Sequence, residues 1–127
     1  MTVDLSIYLV TDSGQAARCG RSMVHTVQEA VAGGVTTVQV REKNAEAHDV
    51  LRLVEALADR LPAHVTLLIN DRVDVFLAAR ARGVRVNGVH VGQRDLPVED
   101  VRALVGPHAV IGLTANTAAE LAAAQAS

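Results

Sequence analysis

The sequence predicts an α/β fold built on a mostly parallel sheet. Three observations carry that expectation. Short runs rich in β-branched and aliphatic residues alternate with segments of helical apolar period, about five times along the chain. The connections between them are short, and regular βα alternation implies a parallel sheet with right-handed crossovers covering it. Half of the 127 residues are apolar, and alanine and valine lead that set, which suits helices packed closely on buried strands.

The elements follow in order. Residues 6–11 (SIYLVT) read as a first strand. Met23, Val24, Val27, Ala30 and Val31 recur at helical spacing behind Ser22, a residue suited to an N-cap, and Gly33 and Gly34 end the helix. Residues 36–40 (TTVQV) form the second strand. Val50, Leu53, Val54, Leu57 and Leu61 mark the second helix, closed by Pro62. Residues 66–69 give the third strand and 73–82 the third helix, ended by Gly83. A fourth strand is expected at 89–91, a fourth helix through Val98, Val101, Leu104 and Val105 up to Gly106, and a fifth strand at 110–113. A fifth helix begins at Thr117, with Glu120 as its capping-box partner. Asn87-Gly88 is either the turn into the fourth strand or the corner of a small hairpin over 84–91. Two architectures accommodate this series: an open doubly wound sheet, or part of a (β/α)8 barrel.

Composition narrows the function. A length of 127 residues suits a single domain spanning 1–127. The formal net charge of −2 supplies no basic field for nucleic acid, and an aromatic content of 2% leaves almost nothing for base stacking. The lone Cys19 has no partner for a disulfide, which suits a reducing compartment and a cytoplasmic expectation. The N-terminal MTVDLSIYLV lacks the basic-then-apolar pattern of a secretory signal, and no apolar run is long enough to span a bilayer.

Polar residues gather at the strand ends: Thr11 and Asp12, then Arg41 to Lys43, Asn70 to Arg72, Gly92 to Asp95, and Thr114 with Asn116. Parallel strands place their C-terminal ends on one rim, where ligands bind in either architecture. The plainer alternative is that polar residues merely begin loops. Arg41 and Lys43, one residue apart, suit a polyanion, as a planar fork beside a point charge. Asp71 and Asp95 fall on adjacent strands, where two carboxylates repel unless a cation lies between them. Magnesium takes one or two carboxylates plus substrate phosphates, so the set fits a diphosphate. The structural alternatives are an Asp71–Arg72 ion pair and an Asp95 N-cap ahead of the fourth helix. His25, His48, His64 and His108 read as surface residues and His90 as a packed, hydrogen-bonded core histidine. There is no nucleophile elbow, P-loop or dinucleotide fingerprint.

Taken together, YLVTD at 8–12, VQVREK at 38–43, LLINDRVD at 67–74, GVHVGQRDLP at 88–97 and IGLTANT at 111–117 resemble the thiamine-phosphate synthase family in order and spacing. The resemblance runs over nearly the whole chain and is to the family's N-terminal portion. It implies a (β/α)8 barrel of which about five βα units are present. It implies a reaction joining 4-amino-2-methyl-5-hydroxymethylpyrimidine diphosphate to a thiazole phosphate, releasing diphosphate. By resemblance Gln39, Val40, Arg41, Glu42 and Lys43 contact the pyrimidine diphosphate, with Arg41 and Lys43 as the catalytic cations on its phosphates. Asn70 and Thr114 bind the same substrate, and Asp71 and Asp95 hold Mg2+.

The sequence departs from the family pattern in two places. Thr114-Ala115-Asn116 stands where the family usually has serine, alanine and histidine. The later glycine-proline and threonine-lysine segment that serves the thiazole phosphate is absent, as are the later glycine-rich phosphate loops. Self-association, or pairing with a C-terminal half, is therefore expected. The alternatives are a thiazole tautomerase-like relative and a non-catalytic fragment. The tautomerase relatives tend to lack the paired aspartates and the Gly-Gln-x-Asp segment carried here by Asp71, Gln93 and Asp95.

Overall fold

The computed structural model describes residues 3–12, 22–93, 95–114, 118–120 and 122. The strands are β1 (Tyr8–Val10), β2 (Thr37–Val40), β3 (Thr66–Asn70), β4 (Gly88–Val91) and β5 (Val110–Leu113). Between them run α1 (Met23–Ala32), α2 (Ala47–Arg60), α3 (Val73–Ala81) and α4 (Val98–Val105). The expected cap at Thr117 and most of the expected fifth helix lie outside the described residues.

Local chemistry accounts for the boundaries. The Ser22 hydroxyl accepts the His25 amide at 3.2 Å, which satisfies one of the free N–H groups of α1. Gly34, at φ +118°, turns the chain out of that helix into β2. Leu61 precedes Pro62 and takes an extended ψ of 143°, so α2 stops there. Gly88 opens β4 directly, with no hairpin. The Asn87 side chain accepts the Leu67 amide at 2.8 Å, and its own amide donates to the Leu67 carbonyl at 2.8 Å. Asn87 thus ties β4 to β3 before the strand begins.

All neighbours pair in parallel, in the order β1-β2-β3-β4-β5. An order without reversal has no switch point, so right-handed crossovers stack every helix on one face. Consecutive helices pack on one another accordingly. Strand alternation then separates two surfaces. Val38, Val40, Leu67, Ile69, Val89 and Val91 meet Val27, Val54, Leu57, Phe76, Ala79 and Val101 in one continuous core.

The opposite face is set by register in rows: Tyr8, Thr37 and Thr66; then Val10, Gln39, Leu68, Gly88 and Val110; then Asn70, His90 and Gly112. This face is polar or small at most positions, and Thr37, Gln39, Thr66 and Leu68 are all buried. Among the described residues the exposed large apolar side chains are Leu5, Ile7, Tyr8 and Val10, on β1 and its lead-in, together with Leu96 and Leu104. Among the described residues no helix is long and apolar enough to cross a membrane.

Candidate functional site

The C-terminal ends of the strands surround one cleft of about 740 Å³. It is lined by Gln39, Val40, Arg41, Glu42 and Lys43 from β2 and the loop beyond it, and by Asn70 and Asp71 from the end of β3. Asp95 and Thr114 close the far side. Every site residue expected from the sequence therefore reaches the same cleft. Val10, Val50, Arg72, His90 and Gly92 complete the lining.

The β2 end is held in place from β1. Thr11 is buried, and its amide donates to the Gln39 carbonyl at 2.9 Å, carrying the sheet ladder one residue past β1. Its hydroxyl donates to the Glu42 carboxylate at 2.7 Å and accepts the Arg41 amide at 3.0 Å. One row below, the Gln39 amide nitrogen donates to the Tyr8 hydroxyl at 2.8 Å. Arg41 and Lys43 are exposed and both line the cleft.

The β3 end makes a sharp turn. Asp71 has φ +63°, a conformation that aspartate and asparagine tolerate better than most residues. Its amide donates to the His90 carbonyl at 2.7 Å, which continues the β3–β4 ladder and fixes the turn. A hydrogen bond with the Asp95 carboxyl holds the Asp71 carboxyl above the usual carboxylate range; burial and the Asp95 charge push the same way. Two carboxyl groups meeting at a cleft wall make a hard oxygen donor pair, and one of them resists ionising without a cation. That chemistry fits magnesium. Among the described residues no group of three or more His, Cys, Asp or Glu side chains comes together as a metal cage. A metal here would depend on substrate oxygens and water for its other ligands.

Both structural alternatives for these aspartates differ from what is seen. Arg72 forms its fork with Asp74, at 3.1 and 2.8 Å, and this pair holds the Asp74 carboxyl below its ordinary value. Asp95 does not cap α4, whose N-cap is Pro97 without a side-chain bond. It accepts the Gly92 amide at 2.5 Å and so braces the β4–α4 loop.

His90 is the residue whose place the sequence understated. It is hydrogen-bonded, as a core histidine would be, but it is only half-buried and lines the cleft. Its Nε2 lies 2.9 Å from the Thr114 hydroxyl. Burial lowers its pKa, against the pull of the Asp95 charge, which favours the uncharged ring. A Cβ on Gly112 would come within 2.4 Å of the His90 Nδ1, so the missing side chain is what admits the ring. The signal was parity: His90 shares the strand face of Gly88, opposite to Val89 and Val91. The Gln93 side chain completes the arrangement, donating to the Thr114 carbonyl at 2.5 Å. The expected surface positions of His25, His48, His64 and His108 agree with their exposure. Arg94, Asn116 and Cys19 lie outside the described residues.

Comparison with known proteins gives a consistent assignment. The chain is 48% identical over 116 residues to a thiamine-phosphate synthase of Corynebacterium efficiens, covering 91% of this chain and 52% of that protein. It is 45% identical over 115 residues to a chloroplastic thiamine biosynthetic bifunctional enzyme of Arabidopsis thaliana, covering 90% of this chain and 21% of that one. A solved thiamine phosphate pyrophosphorylase from Pyrococcus furiosus superposes with a TM-score of 0.80 at 29% identity, over 96% of this chain and 55% of that one. The chain thus spans about half the length of the bacterial synthases it matches. The thiamine monophosphate synthase family model matches residues 7–127, nearly the whole sequence, and the chain belongs to that family.

Proposed function

We propose that this chain carries the pyrimidine-diphosphate half of a thiamine-phosphate synthase site, on the first five βα units of a (β/α)8 barrel. The observation that carries this reading is the single cleft in which Arg41, Lys43, Asn70, Asp71, Asp95 and Thr114 converge. Arg41 and Lys43 bind the diphosphate and act as the catalytic cations. Asn70 and the Thr114 hydroxyl orient it, and Gln39 to Lys43 form the wall against which the substrate lies. Asp71 and Asp95 are the residues that would hold Mg2+, which when bound supplies charge neutralisation for a phosphate-rich ligand.

In the reaction, the bond between the pyrimidine methylene carbon and the diphosphate oxygen breaks, and the electron pair leaves with diphosphate. The thiazole nitrogen then attacks the resulting carbocation. Arg41 and Lys43 favour this step by meeting the negative charge that grows on the leaving group. The acceptor phosphate is bound by residues that a C-terminal half or a second chain contributes, in a cytoplasmic protein.

The paired carboxylates of Asp71 and Asp95 favour this reading over that of a thiazole tautomerase. Calorimetry with the pyrimidine diphosphate tests it. Binding is expected with magnesium and much weaker binding without it, and an Asp71→Ala, Asp95→Ala double variant should lose that difference. Equal affinity in all conditions rejects the metal assignment, and no binding in any condition rejects the substrate assignment.

A further inference from the structure

We infer that Thr11 is a positioning residue for diphosphate binding, acting through the loop that carries Arg41 and Lys43. This inference rests on the diphosphate reading above.

Thr11 lies just beyond β1 and does not itself line the main cleft. It is 4% exposed, and its one hydroxyl serves two bonds to adjacent residues of the next segment. It accepts the Arg41 amide at 3.0 Å and donates to the Glu42 carboxylate at 2.7 Å. A hydroxyl can do both at once because it has one donor and two acceptor lone pairs. The ladder of β1 and β2 ends at the Thr11 amide and the Gln39 carbonyl. Beyond that point, among the described residues, β2 runs on toward its exposed cations without a further strand bond from β1. The Thr11 hydroxyl takes over there, on the first residue past the strand. It anchors the backbone of Arg41, and through Glu42 it fixes the residue between the two cations.

The consequence is pre-organisation. Arg41 and Lys43 are long side chains on an exposed turn, and gripping a diphosphate means ordering both. With the Arg41 backbone held before the ligand arrives, less of that ordering remains to be done on binding. The Glu42 bond is charge-assisted, which makes it the stronger of the two.

The test uses the chain with inorganic diphosphate and magnesium. Thr11→Val keeps the β-branched shape and removes the hydroxyl; Thr11→Ser keeps the hydroxyl. Thr11→Val is expected to weaken diphosphate binding about tenfold, the cost of ordering one or two long side chains that the parent holds in advance. Thr11→Ser should bind and melt like the parent, whereas Thr11→Val, which loses two bonds already present in the free protein, should also melt lower while keeping the parent's helical signal in circular dichroism. Affinity unchanged in Thr11→Val, or lost equally in both variants, overturns the positioning role while leaving the diphosphate reading intact. Absence of binding by the parent overturns both. Amide exchange on the unmodified chain gives a measurement that does not depend on how the variants fold. The Arg41 amide should be protected like a strand amide, and exchange at the rate of an open loop overturns the inference.

Discussion

At the scale of single residues, the site carries one group that is unfavourable by itself. Asp71 sits in a left-handed backbone conformation, and its carboxyl faces another carboxyl. Its pKa is raised in the fold, so the fold binds its proton more tightly than the unfolded chain does. The stability linked to that proton is fully present below the ordinary aspartate value of 3.8 and is lost as pH rises through the elevated folded value. At neutral pH and without metal, Asp71 is therefore a cost. Asparagine tolerates the same backbone conformation and carries no charge. Asp71→Asn should raise the melting temperature at neutral pH in chelator, and the gain should vanish as the solution is acidified. It should also remove any rise in melting temperature on adding magnesium. A variant less stable than the parent in chelator at neutral pH would show that repulsion between the two carboxylates is not the governing effect.

At the scale of elements, helical period, the Ser22 cap and most strand bounds were legible in the sequence, the fifth strand to the residue, while partner faces were not. Ser22 was readable as a cap because a hydroxyl residue stood directly before the first apolar position of α1. Its loss can be gauged: Ser22→Ala should cost about 1 kcal/mol, read as a lower urea midpoint at unchanged slope. A cost near zero would mean that packing of Met23 and Val27 holds the helix end without the cap. The start of α2 was not legible. The helix opens at Ala47, a turn before the first fully buried residue Val50, and a turn whose core contact is one small, half-buried alanine leaves little periodic signal. The first strand was read over 6–11 but pairs only over Tyr8–Val10, because Ser6 and Ile7 bend around Thr36 and Thr37. The polar ends of five strands were visible as a rim. The role of His90 was hidden, because it depends on register: only pairing with Gly112 opens the space for the ring and brings Thr114 within reach. Thr11 was visible as a rim residue for the same reason as its neighbours. Its two bonds to the β2 end depend on tertiary placement, which no spacing rule supplies.

At the scale of the whole molecule, the sheet has two ends. The β1 and β5 strands each pair on one side only among the described residues, and a parallel strand edge presents a row of unpaired backbone groups. At β5 the side chains are half-buried throughout. At β1 the edge coincides with apolar exposure: Leu5 is 60% exposed, Ile7 49% and Val10 44%. Free backbone groups and apolar side chains on one edge favour addition of a further strand, from a second copy or from a C-terminal half. Lysine on an edge strand opposes such pairing, because docking would strip water from its charge. Light scattering across a concentration series should therefore give a mass above that of one chain. An Ile7→Lys variant should move it toward the monomer without lowering the helical signal in circular dichroism. Ile7 suits this test because its side chain lies outside the cleft, while its carbonyl, which the substitution retains, accepts the Thr36 and Thr37 amides. A parent chain that stays monomeric at every concentration would mean that the β1 edge is shielded in solution. Association that persists in Ile7→Lys would move the contact to another surface, with the β5 edge the next to test.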